Sequence, residues 1–269
     1  MKITGQKLKG ARMMQIIDSH IHLDLYEKAE QKTILQELKA HHVQALISVS
    51  KDLESAKQNL SLRKLDSRIK VAIGFHPEQP LPSKEQIEKI FKLVEENKEE
   101  IVAIGEVGLP YYLRRKDPSI PNEPYIELLE SFILLAKRID KPIVLHAIYE
   151  DATLVCNLLE KYKVDRAHFH WFKGDQSTLN FIIDHGHVIS ITPDVCYEEE
   201  IQRIVNYTPL EHILVETDGP WPFKEQFARK RTHPKMIHQS IQKIAQIKQF
   251  SLETTYRQIY ENTKKFFNL

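Results

Sequence analysis

Cysteine is nearly missing: Cys156 and Cys196 are the only two in 269 residues. Two are too few for a disulfide framework, so the chain reads as cytoplasmic, with both cysteines packed. Long apolar runs are missing too. None approaches the ~18–20 residues that cross a bilayer, so no membrane association is expected. Residues 1–14 are basic, but no apolar region of about 7–15 residues follows, which excludes a secretory leader. They read as a flexible N-terminal extension or the product of an upstream start, with residues 15–269 as one domain. Net charge is also nearly absent. Lys and Arg total 38 against 37 Asp and Glu, a formal charge of +1. No global field draws this protein onto nucleic acid. No GxGxxG fingerprint or P-loop is found. No Ser/His/Asp or Cys/His signature, repeat or linker is found either. What remains is 42% apolar and 28% charged residues, the balance of a soluble globular protein, and 13 histidines.

Short β-branched apolar runs alternate with helical patterns along the chain. Strand-like runs fall at 15–18, 45–49, 71–73, 101–104, 143–145, 166–169, 187–191 and 212–215. Helical spacing follows at 27–40, 52–65, 84–97, 124–138, 151–161, 176–184, 198–206, 235–247 and 252–267. Ser83 is the expected cap of the third helix. Residues 109–123 read as a long polar loop. Eight strand–helix units over roughly 255 residues predict a parallel α/β fold, a single (β/α)8 TIM-type barrel.

The chemistry sits at the strand ends. Asp18, His20 and His22 close the first strand in Asp-x-His-x-His. His76 follows the third and Glu106 the fourth. His146 closes the fifth, His168 and His170 the sixth, and Asp218 follows the eighth. In a parallel barrel these ends share one rim, where functional residues gather. Imidazole nitrogens and carboxylate oxygens suit zinc and similar divalent ions. Alternate strand residues face one way, so His20 and His22 can both face the barrel mouth. A carboxylate such as Glu106 can bridge two ions, and such a pair can activate a water against a phosphoryl group. The joint occurrence of these groups carries the metal reading, because buried polar groups need partners.

These residues resemble the TatD family of metal-dependent hydrolases, within the amidohydrolase-like barrels, from about Ile16 to Leu269. The motifs are Asp18-Ser-His-Ile-His-Leu-Asp24, Gly74-Phe-His-Pro77, Ala103-Ile-Gly-Glu-Val-Gly-Leu109, Lys141-Pro-Ile-Val-Leu-His146, His170-Trp-Phe-Lys-Gly174, Val215-Glu-Thr-Asp218 and Asn262-Thr-Lys-Lys-Phe-Phe267. The resemblance implies two divalent ions per chain, with zinc, manganese, magnesium or nickel all compatible. His20, His22, Glu106 and Asp218 would hold one, and Glu106, His146 and His170 the other. Asp218 would take the proton from the attacking water, and His76 would touch substrate or bridging solvent. The implied activity is that of a deoxyribonuclease acting on phosphodiesters. The alternative is hydrolysis of a small amide, ester or lactone by the same site. DNA or a small molecule is therefore the expected partner, and no obligate protein partner is evident.

The rim departs from the family pattern. The pattern has an aspartate after Gly-Leu, and Pro110 stands here. The later Arg-x-Asn-Glu-Pro segment appears as Arg229-Lys-Arg-Thr-His-Pro234, without Asn or Glu, and Gly219-Pro-Trp221 follows Asp218. Local cations for phosphate are Arg114, Arg115, Lys116, Arg229, Lys230 and Arg231. Tyr111, Tyr112, Trp171, Trp221 and Phe223 are candidates to stack on bases. Among these, Tyr112, Trp221 and Arg231, with His76, are the expected substrate contacts. Asp18, Asp24 and His168 are read as groups that support the ligands. The other histidines read as surface or packing residues.

Overall fold

The computed structural model describes residues 14–269. Most of the expected N-terminal extension, residues 1–13, lies outside the described residues. Eight strands alternate with helices: β1 (Ile16–Ile21), β2 (Val43–Val49), β3 (Ile69–Ile73), β4 (Ile101–Gly108), β5 (Ile143–His146), β6 (Ala167–Phe169), β7 (Val188–Ile191) and β8 (Ile213–Val215). They follow one another in sequence order in an eight-stranded sheet. The helices are α1 (Lys28–Glu37), α2 (Leu53–Leu65), α3 (Lys84–Glu96), α4 (Tyr111–Lys116), α5 (Glu123–Arg138), α6 (Glu150–Tyr162), α7 (Gln176–Asp184), α8 (Glu199–Tyr207), α9 (Ile237–Lys248) and α10 (Leu252–Phe267).

Local chemistry explains most boundaries. Ser83 caps α3 with a reciprocal Gln86 bond, as the sequence predicts. Asp52, Asp175 and Ser251 cap α2, α7 and α10 by accepting amide hydrogens of the first turn. In α5, Tyr125, Leu129, Phe132, Ile133 and Ala136 are buried at helical spacing. One difference from expectation stands out. Residues 109–123 are not loop throughout, because α4 occupies Tyr111–Lys116.

The chain divides into two compact units. One is Ser48–Ile189; the other runs to Ile47 and resumes at Ser190–Leu269. In the first, β3, β4, β5 and β6 pair in parallel. Val71, Ile104, Phe132, Val144 and Phe169 fill its core, each no more than 1% exposed. Full burial of such a side chain stabilises by about 1.5–3 kcal/mol. The register between β4 and β5 shifts between Ile104 and Val107, an irregularity that contains Glu106. Such bulges re-aim a side chain beside a site. Gly74 permits the close approach of β3, since a Cβ there would lie 2.6 Å from the Glu106 carbonyl oxygen. In the second unit, Ile16, Ile21, Ile241, Tyr256 and Phe267 pack the core. Among the described residues no helix is long and apolar enough to cross a membrane.

Candidate metal centre

In the discontinuous unit, β1 and the segment after β8 bring His20, His22 and Asp218 together. His20 Nε2 is 3.4 Å and His22 Nε2 3.5 Å from Asp218 Oδ1. All three side chains are almost wholly buried. The backbone sets this arrangement. The Asp218 amide donates to the His20 carbonyl at 2.9 Å, and the His22 amide to the Gly219 carbonyl at 2.8 Å. Asp218 has φ 47°, the left-handed region that Asp tolerates better than most residues. Gly219 is required next to it, because the Tyr26 hydroxyl occupies the space of a Cβ.

Asp18 supports this group rather than joining it. Its carboxylate accepts the Thr217 amide at 2.9 Å, the Thr217 hydroxyl at 2.5 Å and the His20 amide at 3.3 Å. It thereby fixes the residue before Asp218. Burial pushes its carboxyl up to about 8, against the opposing Thr217 bonds. Asp24 lies in a half-buried one-turn segment, Leu23–Leu25. Glu216 is buried and accepts the Ser190 hydroxyl at 2.5 Å.

In the other unit, Glu106 is the centre. Its Oε1 lies 2.7 Å from His170 Nε2, 2.9 Å from His146 Nδ1 and 3.4 Å from His76 Nε2. His146 Nδ1 and His170 Nε2 are 3.1 Å apart. Burial works against a charged His146 ring, but hydrogen bonds to Glu106 and Glu78 outweigh it and hold the imidazole above its ordinary range. His168, buried inside β6, is held well below its ordinary range by burial and by nearby His170, so it stays neutral.

The two sets share one property. In His20, His22 and Asp218, and again in Glu106, His146 and His170, the donor atoms lie within 4.8 Å of one another. Imidazole nitrogens with one carboxylate in a buried, close-set triad fit a divalent cation of the zinc or manganese kind.

The other expected residues fall into distinct places. Tyr112 and Trp221 are exposed, at 43% and 58%. Tyr112's ring centroid lies 6.4 Å from that of His146. Tyr111 and Phe223 are buried and do not offer free stacking faces. Arg231 is half-exposed, stacks over Tyr26 and reaches Glu30 with Nε at 2.8 Å. Arg114 is ion-paired with the buried Asp151 at 3.0 Å. The residue that sequence reasoning missed is Glu78, whose Oε1 is 3.2 Å from His146 Nε2. A lone Glu after His-Pro carries no local signal.

The TatD-related DNase family pattern matches residues 17–268. A Haemophilus influenzae protein named as an uncharacterized metal-dependent hydrolase is 38% identical over 255 residues, covering 94% of this chain and all of the relative. Human deoxyribonuclease TATDN3 is 27% identical over 261 residues, covering 94% of each chain. The crystal structure of YJJV, a TatD homologue from Escherichia coli K12, superposes with a TM-score of 0.84 at 21% identity, over 96% of this chain and 99% of that one. The chain belongs to the TatD family of metal-dependent hydrolases. Its fold is that family's (β/α)8 barrel.

Proposed function

We propose that this hydrolase cleaves phosphodiester bonds of DNA, with two divalent ions held by His20, His22, Glu106, His146, His170 and Asp218. The reading is carried by the two buried histidine–carboxylate triads, within a family that includes a named deoxyribonuclease. Glu106 would hold an ion together with His146 and His170, in keeping with the imidazoles gathered around one of its oxygens. Divalent ions bound there supply Lewis-acid polarisation of a phosphoryl oxygen and a water of lowered pKa. Zinc, manganese, magnesium or nickel can fill that role, and availability decides among them.

The chain's own residues do the rest. Asp218 accepts the proton of the attacking water. His76, half-buried beside Glu106, contacts the substrate or its solvent. Tyr112 and Trp221 stack on bases, and Arg231 meets phosphate in competition with Glu30. With a net charge of +1, the grip on substrate is local. Two free cysteines and the lack of a spanning helix among the described residues fit a cytoplasmic setting.

The test is incubation of metal-loaded protein with single-stranded DNA. Nucleotide release that a chelator abolishes supports the reading, and no release from the loaded protein refutes it. A second reading, hydrolysis of a small amide, ester or lactone, is favoured by Pro110, which removes an acidic group from the rim, and by the near-zero charge. A panel of such substrates separates the two.

A further inference from the structure

Pro110 occupies the cap position of α4. A carboxylate at a cap accepts amide hydrogens from the second and third residues of the helix. Proline offers none, yet those amides are met. Glu78 Oε1 accepts the Tyr112 amide at 2.7 Å, and Oε2 accepts the Leu113 amide at 2.6 Å. Glu78 comes from the β3–α3 connection, 34 residues before Tyr112. Its own amide donates to His76 Nδ1 at 3.1 Å, which holds the glutamate in place.

The same carboxylate reaches His146. Glu78 Oε1 lies 3.2 Å from His146 Nε2, with the two side chains only 15% and 10% exposed. The other ring nitrogen, Nδ1, faces Glu106 at 2.9 Å and His170 at 3.1 Å. Each nitrogen thus faces a carboxylate, Nε2 that of Glu78 and Nδ1 that of Glu106, and each carboxylate can only accept. Were Nδ1 to serve as a metal ligand it would carry no proton, and Glu78 would hold the remaining ring proton on Nε2. Histidines that bind metals are commonly oriented in this way by a carboxylate on their far nitrogen.

We propose that Glu78 is a positioning residue with two roles. It replaces the missing carboxylate at position 110 as the cap of Tyr112 and Leu113, and it fixes the tautomer and orientation of His146. The second role rests on the reading of His146 as a metal ligand. One carboxylate thereby ties the rim helix that carries Tyr112 to a residue of the centre. The departure at position 110 and the glutamate at position 78 become two halves of one rearrangement.

The test uses the full chain in four forms: wild type, Glu78→Ala, Glu78→Ala with Pro110→Asp, and His146→Ala. Each is measured for Tm without metal and for zinc affinity by titration. Glu78→Ala is expected to lower Tm by about 2–4 °C and to weaken zinc binding by about 10–100-fold. Adding Pro110→Asp restores Tm, because it returns a cap, and leaves zinc binding weak, because a carboxylate at position 110 supplies only the capping role. Recovery of both by Pro110→Asp would overturn the His146 role. Recovery of neither would overturn the capping role. Wild-type zinc affinity in Glu78→Ala, with His146→Ala weakened, overturns the His146 role alone. Wild-type affinity in His146→Ala instead overturns the ligand reading on which it rests.

Discussion

Replacing Arg114 by Met should destabilise the protein markedly without touching a ligand. Arg114 reaches Asp151 Oδ1 at 3.0 Å, and the Asp151 side chain is 3% exposed against 31% for Arg114. Asp151 Oδ2 is buried with no hydrogen-bond partner among the described residues. Breaking a fully buried pair costs about 3–5 kcal/mol, because one charge is left without its partner. Water reaches about a third of Arg114, so roughly 2–3 kcal/mol is expected here. For a chain of this size that corresponds to a fall in Tm of about 5–10 °C.

The deficit should depend on pH in a defined direction. Burial raises the Asp151 carboxyl above its ordinary range, and Arg114 opposes that rise. A raised value means that the folded state binds the proton more tightly than the unfolded chain. Stability therefore falls as pH rises from the ordinary Asp value, about 3.9, through the raised one. Losing Arg114 extends that window upward, so the deficit of Arg114→Met should shrink between pH 7 and pH 5. The assay is urea unfolding at both pH values. The control is Arg114→Met with Asp151→Leu, which removes both charges and should recover most of the loss. A single variant within about 0.5 kcal/mol of wild type, the range of ordinary surface changes, would mean that Asp151 does not depend on Arg114. A double variant no better than the single would mean the same.

Gly219→Ala should cost about 1–3 kcal/mol through overpacking against the Tyr26 hydroxyl; Tyr26→Phe in that background should return part of the loss in thermal unfolding. Tyr112→Ala and Trp221→Ala should each raise KM for single-stranded DNA by about tenfold with kcat unchanged, since one stacked base contributes about 1–3 kcal/mol; steady-state kinetics checks this. Asp18→Ala should lower zinc affinity in a binding titration by about 10–100-fold, the usual loss when a ligand's support is removed, because Thr217 and the His20 amide lose their shared acceptor.

The alternation of strands and helices was readable because apolar residues recur with the right periods. Strand ends were less readable where chemistry replaces hydrophobicity. The apolar runs stop at residues 18 and 104, whereas β1 continues to Ile21 through Ser19 and His20, and β4 to Gly108 through Gly105 and Glu106. Those added residues carry no apolar run, so the pattern does not mark where the strands end. The short helix α4 was missed because Tyr111–Lys116 has no apolar periodicity and follows a proline. It is held by Glu78 and by the Arg114–Asp151 pair, contacts 34–37 residues apart in sequence. Such partners are set by the fold and leave no local trace. Arg114 illustrates the same point, since its sequence context suggested a phosphate contact and the structure gives it an ion pair. The histidine and acid motifs were legible because strand order brings distant residues together by a known rule.

On the proposed reading each triad holds a divalent ion. Elemental analysis of the purified, metal-loaded chain should then find two ions per chain, with fewer in both Glu106→Ala and His22→Ala. Fewer than one ion per chain, with all six residues intact, would mean that the triads are not metal sites.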